Sequence, residues 1–183
     1  MTRLLIHVEG ETEESFVNEV LAPHLYTYGY GKVSARLLGN ARQRDRRGGI
    51  RGWSGVRKDI LNHLKEDSGC LATTMVDYYR LPQTGEKAWT GRSEAARLPF
   101  ARKAGTVQHP LMADIGTQSG FASIAARFVP YVTMHEFEGL LSRDCTRFAA
   151  GIRRHDLAPR LQAIREQCPH FRQWLERLES RPG

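Results

Sequence analysis

At 183 residues the chain has the length of one domain with a core of its own. With 40% hydrophobic and 26% charged residues and no apolar run near the roughly 18 residues a spanning helix needs, disorder and a transmembrane helix are both excluded. A net charge of +7 suits a polyanionic partner, while Cys70, Cys145 and Cys168, widely spaced and without a Cys-x-x-Cys pair, exclude a disulfide framework and a zinc site.

The opening residues lack the apolar stretch of a signal peptide, so a cytoplasmic protein is expected. Leu4-Leu5-Ile6-His7-Val8 reads as a strand buried on both faces of a parallel sheet. Glu9-Gly10 ends it, and Thr12 is expected to cap a helix with Glu13 and Glu14 in its first turn. Phe16, Val17, Val20, Leu21 and Leu25 follow at helical spacing, Gly29 and Gly31 close the element, and 32–38 reads as a second strand. The unit is a βαβ opening with a right-handed crossover.

Residues 39–55 form a loop rich in glycine and arginine, with Arg42, Arg44, Arg46, Arg47 and Arg51. A helix with Val56, Ile60, Leu61 and Leu64 on one face leads to a third strand, 70–76, that ends at Asp77. From Tyr78 to Gly105 no clean period is present, and Pro82, Gly85, Gly91 and Pro99 predict a long loop with a short helix near 93–98. A helical segment is expected between Pro110 and Arg127, and a fourth strand over 128–134. His135-Glu136-Phe137-Glu138 follows, then a helix with Leu140, Leu141 and Phe148. The tail is helical, with Leu157, Leu161, Ile164, Phe171, Trp174, Leu175 and Leu178 as its stripe and Pro169 dividing it in two. The expected architecture is a single α/β domain, a mostly parallel sheet of about four strands over 1–142 with a helical extension over 143–183.

Glu9, Asp77 and the pair Glu136 and Glu138 each lie just past the carboxyl end of a predicted strand. Ligands of open parallel sheets bind there, so carboxylates distant in sequence converge. Clustered carboxylates repel unless a cation or proton sits between them, and all-oxygen ligands favour magnesium or manganese over zinc. Such ions act on phosphate esters, which makes metal-assisted phosphodiester chemistry the economical expectation. Glu13, four residues beyond Glu9, is expected to face the same crevice as a further ligand or base.

The residues also resemble a known family. Val8-Glu9-Gly10-Glu11-Thr12-Glu13 is similar to the opening of Toprim domains, the fold shared by topoisomerases, primases, the maturation nuclease of ribosomal RNA and overcoming-lysogenization-defect nucleases. Thr73-Thr74-Met75-Val76-Asp77-Tyr78-Tyr79 stands where their Asp-x-Asp strand lies, with Tyr79 in place of the second aspartate. With the block from Pro130 to Leu141, the three together resemble the Toprim-like bacterial family named domain of unknown function 4276, over the chain up to about Ser142.

That resemblance implies Glu9 as metal ligand or general acid/base and Asp77 as metal ligand, with Glu136 or Glu138 supplying the donor that Tyr79 does not. It further implies a magnesium- or manganese-dependent nuclease, or a nuclease subunit, in an anti-phage or mobile-element system beside an ATPase of the ABC or AAA kind. On the nuclease reading, the basic loop from Arg42 to Arg57 would hold phosphates. The alternative is a non-catalytic scaffold that binds nucleic acid or the ATPase, and a homodimer is compatible with either.

Overall fold

The computed structural model describes residues 1–38, 50–120, 122–134 and 157–181. The chain opens with β1 (Arg3–Val8), whose Leu4, Ile6 and Val8 are buried on one face of the sheet while His7 is buried on the other. A three-part helical run follows: α1 (Glu11–Phe16), a π-turn (Val17–Leu21) and α2 (Ala22–Tyr26). The wide π-turn lets Phe16, Val17, Val20 and Leu21, four apolar residues in six positions, all be buried. Thr12 does not cap this helix. Gly10 is the boundary residue, and its N–H donates to Glu13 Oε2 at 3.1 Å, so Thr12 already lies inside the first turn.

β2 (Lys32–Leu37), α3 (Trp53–Glu66) and β3 (Cys70–Asp77) complete the first half. α3 begins before the sequence pattern suggests, taking in Trp53 and Gly55. β1 pairs in parallel with both neighbours, Leu4 standing opposite Val33 of β2 and Leu71 of β3. Every residue of β3 is buried, as a central strand covered on both faces requires.

The stretch after β3 is more ordered than a loop. Tyr78–Arg80 is a 3₁₀ turn, α4 spans Arg92–Ala96, and α5 runs from Phe100 to Ser119 straight through Gly105, Pro110 and Gly116. Ala104, Val107, Leu111 and Ile115 give α5 a buried stripe at helical spacing that outweighs the three breakers. Pro110 has no N–H to offer the carbonyl of Thr106 four residues earlier. Gly91 packs against that carbonyl with φ +80°, and a Cβ there would lie 2.2 Å from the Thr106 oxygen, so only glycine fits.

α6 (Ala122–Ala125) leads to the last strands, where the single strand expected over 128–134 is two: β4 (Phe128–Val129) and β5 (Val132–Thr133). Both pair in parallel with β3, and Pro130, which has no N–H, lies in the break. The Thr74 hydroxyl bridges the gap, donating to the Tyr131 carbonyl at 2.9 Å and accepting the Tyr131 N–H at 3.0 Å. Among the described residues the sheet thus has five strands, in the order β2-β1-β3-β4 with β5 beside β3.

Helices cover both faces. On one side α1, the π-turn, α2, α7 (Leu157–Gln167) and α8 (Pro169–Glu179) share a core with Leu4, Ile6, Val8 and Met75. Trp174 stacks on Tyr131 with ring centroids 4.5 Å apart and donates its indole N–H to Thr73 Oγ1 at 2.9 Å, so the C-terminal helices are built into the sheet. On the other side α3 and α5 pack Val56, Ile60, Leu64, Val107, Leu111 and Ile115 over Ala72 and Val76. Arg127 ties α3 to β3, donating to the carbonyls of Leu64, Asp67 and Cys70 at 2.6, 2.8 and 3.0 Å. Cys70 is buried and Cys168 half-buried, both as free thiols. Among the described residues no helix is long and apolar enough to cross a membrane.

Candidate acidic site at the carboxyl ends of β1 and β3

The strand order reverses between β1 and β3, since β2 lies on one side of β1 and β3 on the other. In open parallel sheets, ligands bind at such a switch point, beyond the carboxyl ends of the strands. Glu9 directly follows β1, Asp77 is the last residue of β3, and Glu13 lies in α1 immediately after the turn. All three are buried, at 4, 5 and 9% exposure respectively, although carboxylates are rarely buried without partners.

Asp77 Oδ1 accepts the Tyr79 N–H at 2.9 Å and so caps the 3₁₀ turn. Glu13 holds the Gly10 N–H, which fixes the turn that carries Glu9. Glu9 Oε1 accepts from Arg80 Nη1 at 2.9 Å, while Glu9 Oε2 is buried with no hydrogen-bond partner among the described residues. Burial raises the Glu9 pKa above the usual carboxylate range. Arg80 pulls it down, the Glu13 charge adds to the rise, and the Asp77 backbone N–H, near the carboxylate but outside hydrogen-bond geometry, opposes it.

Two arginines shape this end of the molecule, and neither stood out in the sequence. Arg92, 4% exposed, donates through Nε to the Tyr78 carbonyl at 2.9 Å and through Nη1 to the Tyr78 hydroxyl at 3.1 Å. Its guanidinium carbon lies 3.9 Å from the centre of the Tyr78 ring, so the turn bearing Tyr79 and Arg80 is braced from the interior. Arg80 is the opposite case: its side chain is 58% exposed although the carboxylate it pairs with is 4% exposed. Tyr79, two residues beyond Asp77, is an exposed ring.

The donors suit a hard cation. They are oxygens only, and Glu9 Oε2 is an orphaned buried acceptor. They are not yet a complete cage, because among the described residues no three His, Cys, Asp or Glu side chains come together closely enough to hold an ion. Glu136 and Glu138 lie outside the described residues, as do Arg42, Arg44, Arg46 and Arg47. Arg51 is described, and it faces inward to α3: its Nη1 meets Asp59 Oδ2 at 2.7 Å and its carbonyl accepts the Trp89 indole N–H at 3.0 Å.

The family model described as Domain of unknown function (DUF4276) matches residues 8–160, which include Glu9, Glu13 and Asp77. No curated protein and no solved structure matches the chain.

Proposed function

The chain belongs to the family described as domain of unknown function DUF4276, and for it we propose a nuclease, or nuclease subunit, that uses magnesium or manganese at the Glu9–Asp77 crevice. The observation that carries this reading is the buried Glu9 carboxylate, with one oxygen orphaned, at the switch point of a parallel sheet beside Asp77. Glu9 and Asp77 would hold the ion, with Glu136 or Glu138 or a substrate phosphate completing its shell. The bound ion would activate water and steady the leaving oxygen of a phosphodiester. In this scheme Glu13 positions Glu9 by fixing the Gly10 turn.

The net charge of +7 favours a polyanionic substrate over a small phosphate ester, and the exposed Tyr79 ring offers a base a stacking face two residues beyond Asp77. A relationship to Toprim nucleases, a phage-defence role, a cytoplasmic setting and an ATPase partner belong to the same proposal. A second reading, a non-catalytic scaffold, draws support from the Arg80 cation that already neutralises Glu9 and from Tyr79 in place of an aspartate.

The separating experiment incubates the purified chain with labelled single- and double-stranded DNA and RNA, with magnesium or manganese or with a chelator. Cleavage that requires the ion supports the nuclease. Binding without cleavage of any of these substrates, with either ion, selects the scaffold.

A further inference from the structure

We propose that Arg80 is a phosphate-binding residue that exchanges Glu9 for a phosphodiester oxygen of the incoming strand, and so makes metal binding at the crevice depend on nucleic acid. This rests on the crevice being a metal site.

The argument starts from the asymmetry of the pair. Glu9 follows β1 directly, and its carboxylate is fixed in the interior at 4% exposure; Arg80 stands on a short 3₁₀ turn, and its side chain is 58% exposed. The arginine is the solvent-facing member of the pair, so it is the one placed to change partner. Its planar fork of donors matches a phosphate at least as well as a carboxylate, and a strand entering the crevice meets that exposed guanidinium first.

The consequence for Glu9 follows from burial. In the free protein the 2.9 Å contact with Arg80 supplies the positive charge that a buried carboxylate requires. When Arg80 turns to a phosphate, both Glu9 oxygens face the crevice without that charge, beside the buried Asp77. A divalent cation then restores the balance, and the phosphate can share it. Strand and ion therefore bind with positive coupling, and by reciprocity each tightens the other. Without nucleic acid the arginine holds the ion's place, which keeps the site from collecting metal when there is nothing to cut. Arg92, clamped on Tyr78, keeps the turn in place while the Arg80 side chain moves.

One substitution should then act in opposite directions on two ligands. Arg80→Ala is expected to bind manganese about tenfold more tightly than wild type in the absence of nucleic acid, the worth of one charge-assisted hydrogen bond. In chelator, the same variant should bind a phosphorothioate single-stranded oligonucleotide more weakly, with the slope of log affinity against log salt reduced by about 0.7, one phosphate contact. Arg80→Gln, which keeps the side-chain length without the charge, should do the same. Manganese binding no tighter in both variants than in wild type, or an unchanged salt slope, overturns the exchange while leaving the metal site standing. No manganese bound by wild type or variants, with or without the oligonucleotide, overturns the metal site itself and the exchange with it.

Discussion

Glu9→Gln is expected to lower metal-dependent cleavage by roughly 10²- to 10⁴-fold, the range for loss of a group acting on the reacting atoms, while the melting temperature at neutral pH stays equal or rises. The two halves of this expectation have one cause. Burial holds the Glu9 pKa above the ordinary carboxylate value, so the folded state binds the proton more tightly than the unfolded chain does. The stability this gives is fully present below the unfolded pKa and is lost as pH rises through the folded one. Glutamine mimics the protonated form at every pH and keeps that stability.

Wild type and variant should therefore melt alike in acid and separate toward neutrality, with the variant the more stable. A Glu9 that served only to pair with Arg80 would behave otherwise. Its loss would lower the melting temperature at neutral pH and leave cleavage intact. Thermal melts from about pH 3 to 8, from below the free glutamate pKa to well above it, set beside a cleavage assay, distinguish the two.

Acid is expected to destabilise the protein through His7, and His7→Phe to remove most of that sensitivity. His7 is fully buried on the α3 face of β1, with neither ring nitrogen hydrogen-bonded among the described residues. Burial, then the neighbouring His63 on α3 and Arg36 on β2, lower its pKa from 6.5 to about 3, while Asp59 on α3 acts weakly in the opposite sense. The sign is that of a group with a depressed pKa: the stability is present above pH 6.5 and is lost as pH falls toward about 3, where the folded state at last takes the proton.

Over that window the loss is about 1.4 kcal/mol per pH unit. Two units thus consume a large share of the roughly 5–15 kcal/mol of stability typical of a domain. Urea unfolding at pH 7.5 and about pH 4.5 measures it. Wild type should lose roughly 3 kcal/mol more than His7→Phe between the two. Equal losses would assign the acid limb elsewhere, first to His170 on α8, whose pKa burial also lowers.

The sheet was legible where one signal dominated. Leu4 to Val8 and Cys70 to Val76 are nearly unbroken apolar runs, and central parallel strands must be apolar on both faces. The tail was legible from the spacing of Phe171, Trp174, Leu175 and Leu178, all of them buried. α5 was obscured because Gly105, Pro110 and Gly116 look like punctuation, although Ala104, Val107, Leu111 and Ile115 carry the helical period between them. The division of β4 from β5 depends on the Thr74 side chain standing in for backbone pairing, a long-range substitution that no local pattern records.

At the site, the sequence pointed to Glu9, Glu13 and Asp77, and the fold places Glu9 and Asp77 at strand ends and Glu13 in the first turn of the helix after β1. It did not point to Arg80 or Arg92. Arginines are common in this chain, and nothing local tells the one clamped beneath Tyr78, or the one paired with Glu9, from those on the surface. Arg51 shows the converse, an arginine in a basic loop whose guanidinium is taken by Asp59.

The most direct test of the central claim is calorimetric titration of manganese into the wild-type chain and a Glu9→Gln/Asp77→Asn double variant, each with and without a cleavage-resistant phosphorothioate oligonucleotide. The account predicts binding by wild type that the oligonucleotide strengthens and the double substitution removes. Equal binding by both proteins, or none by wild type even with the oligonucleotide present, would contradict it.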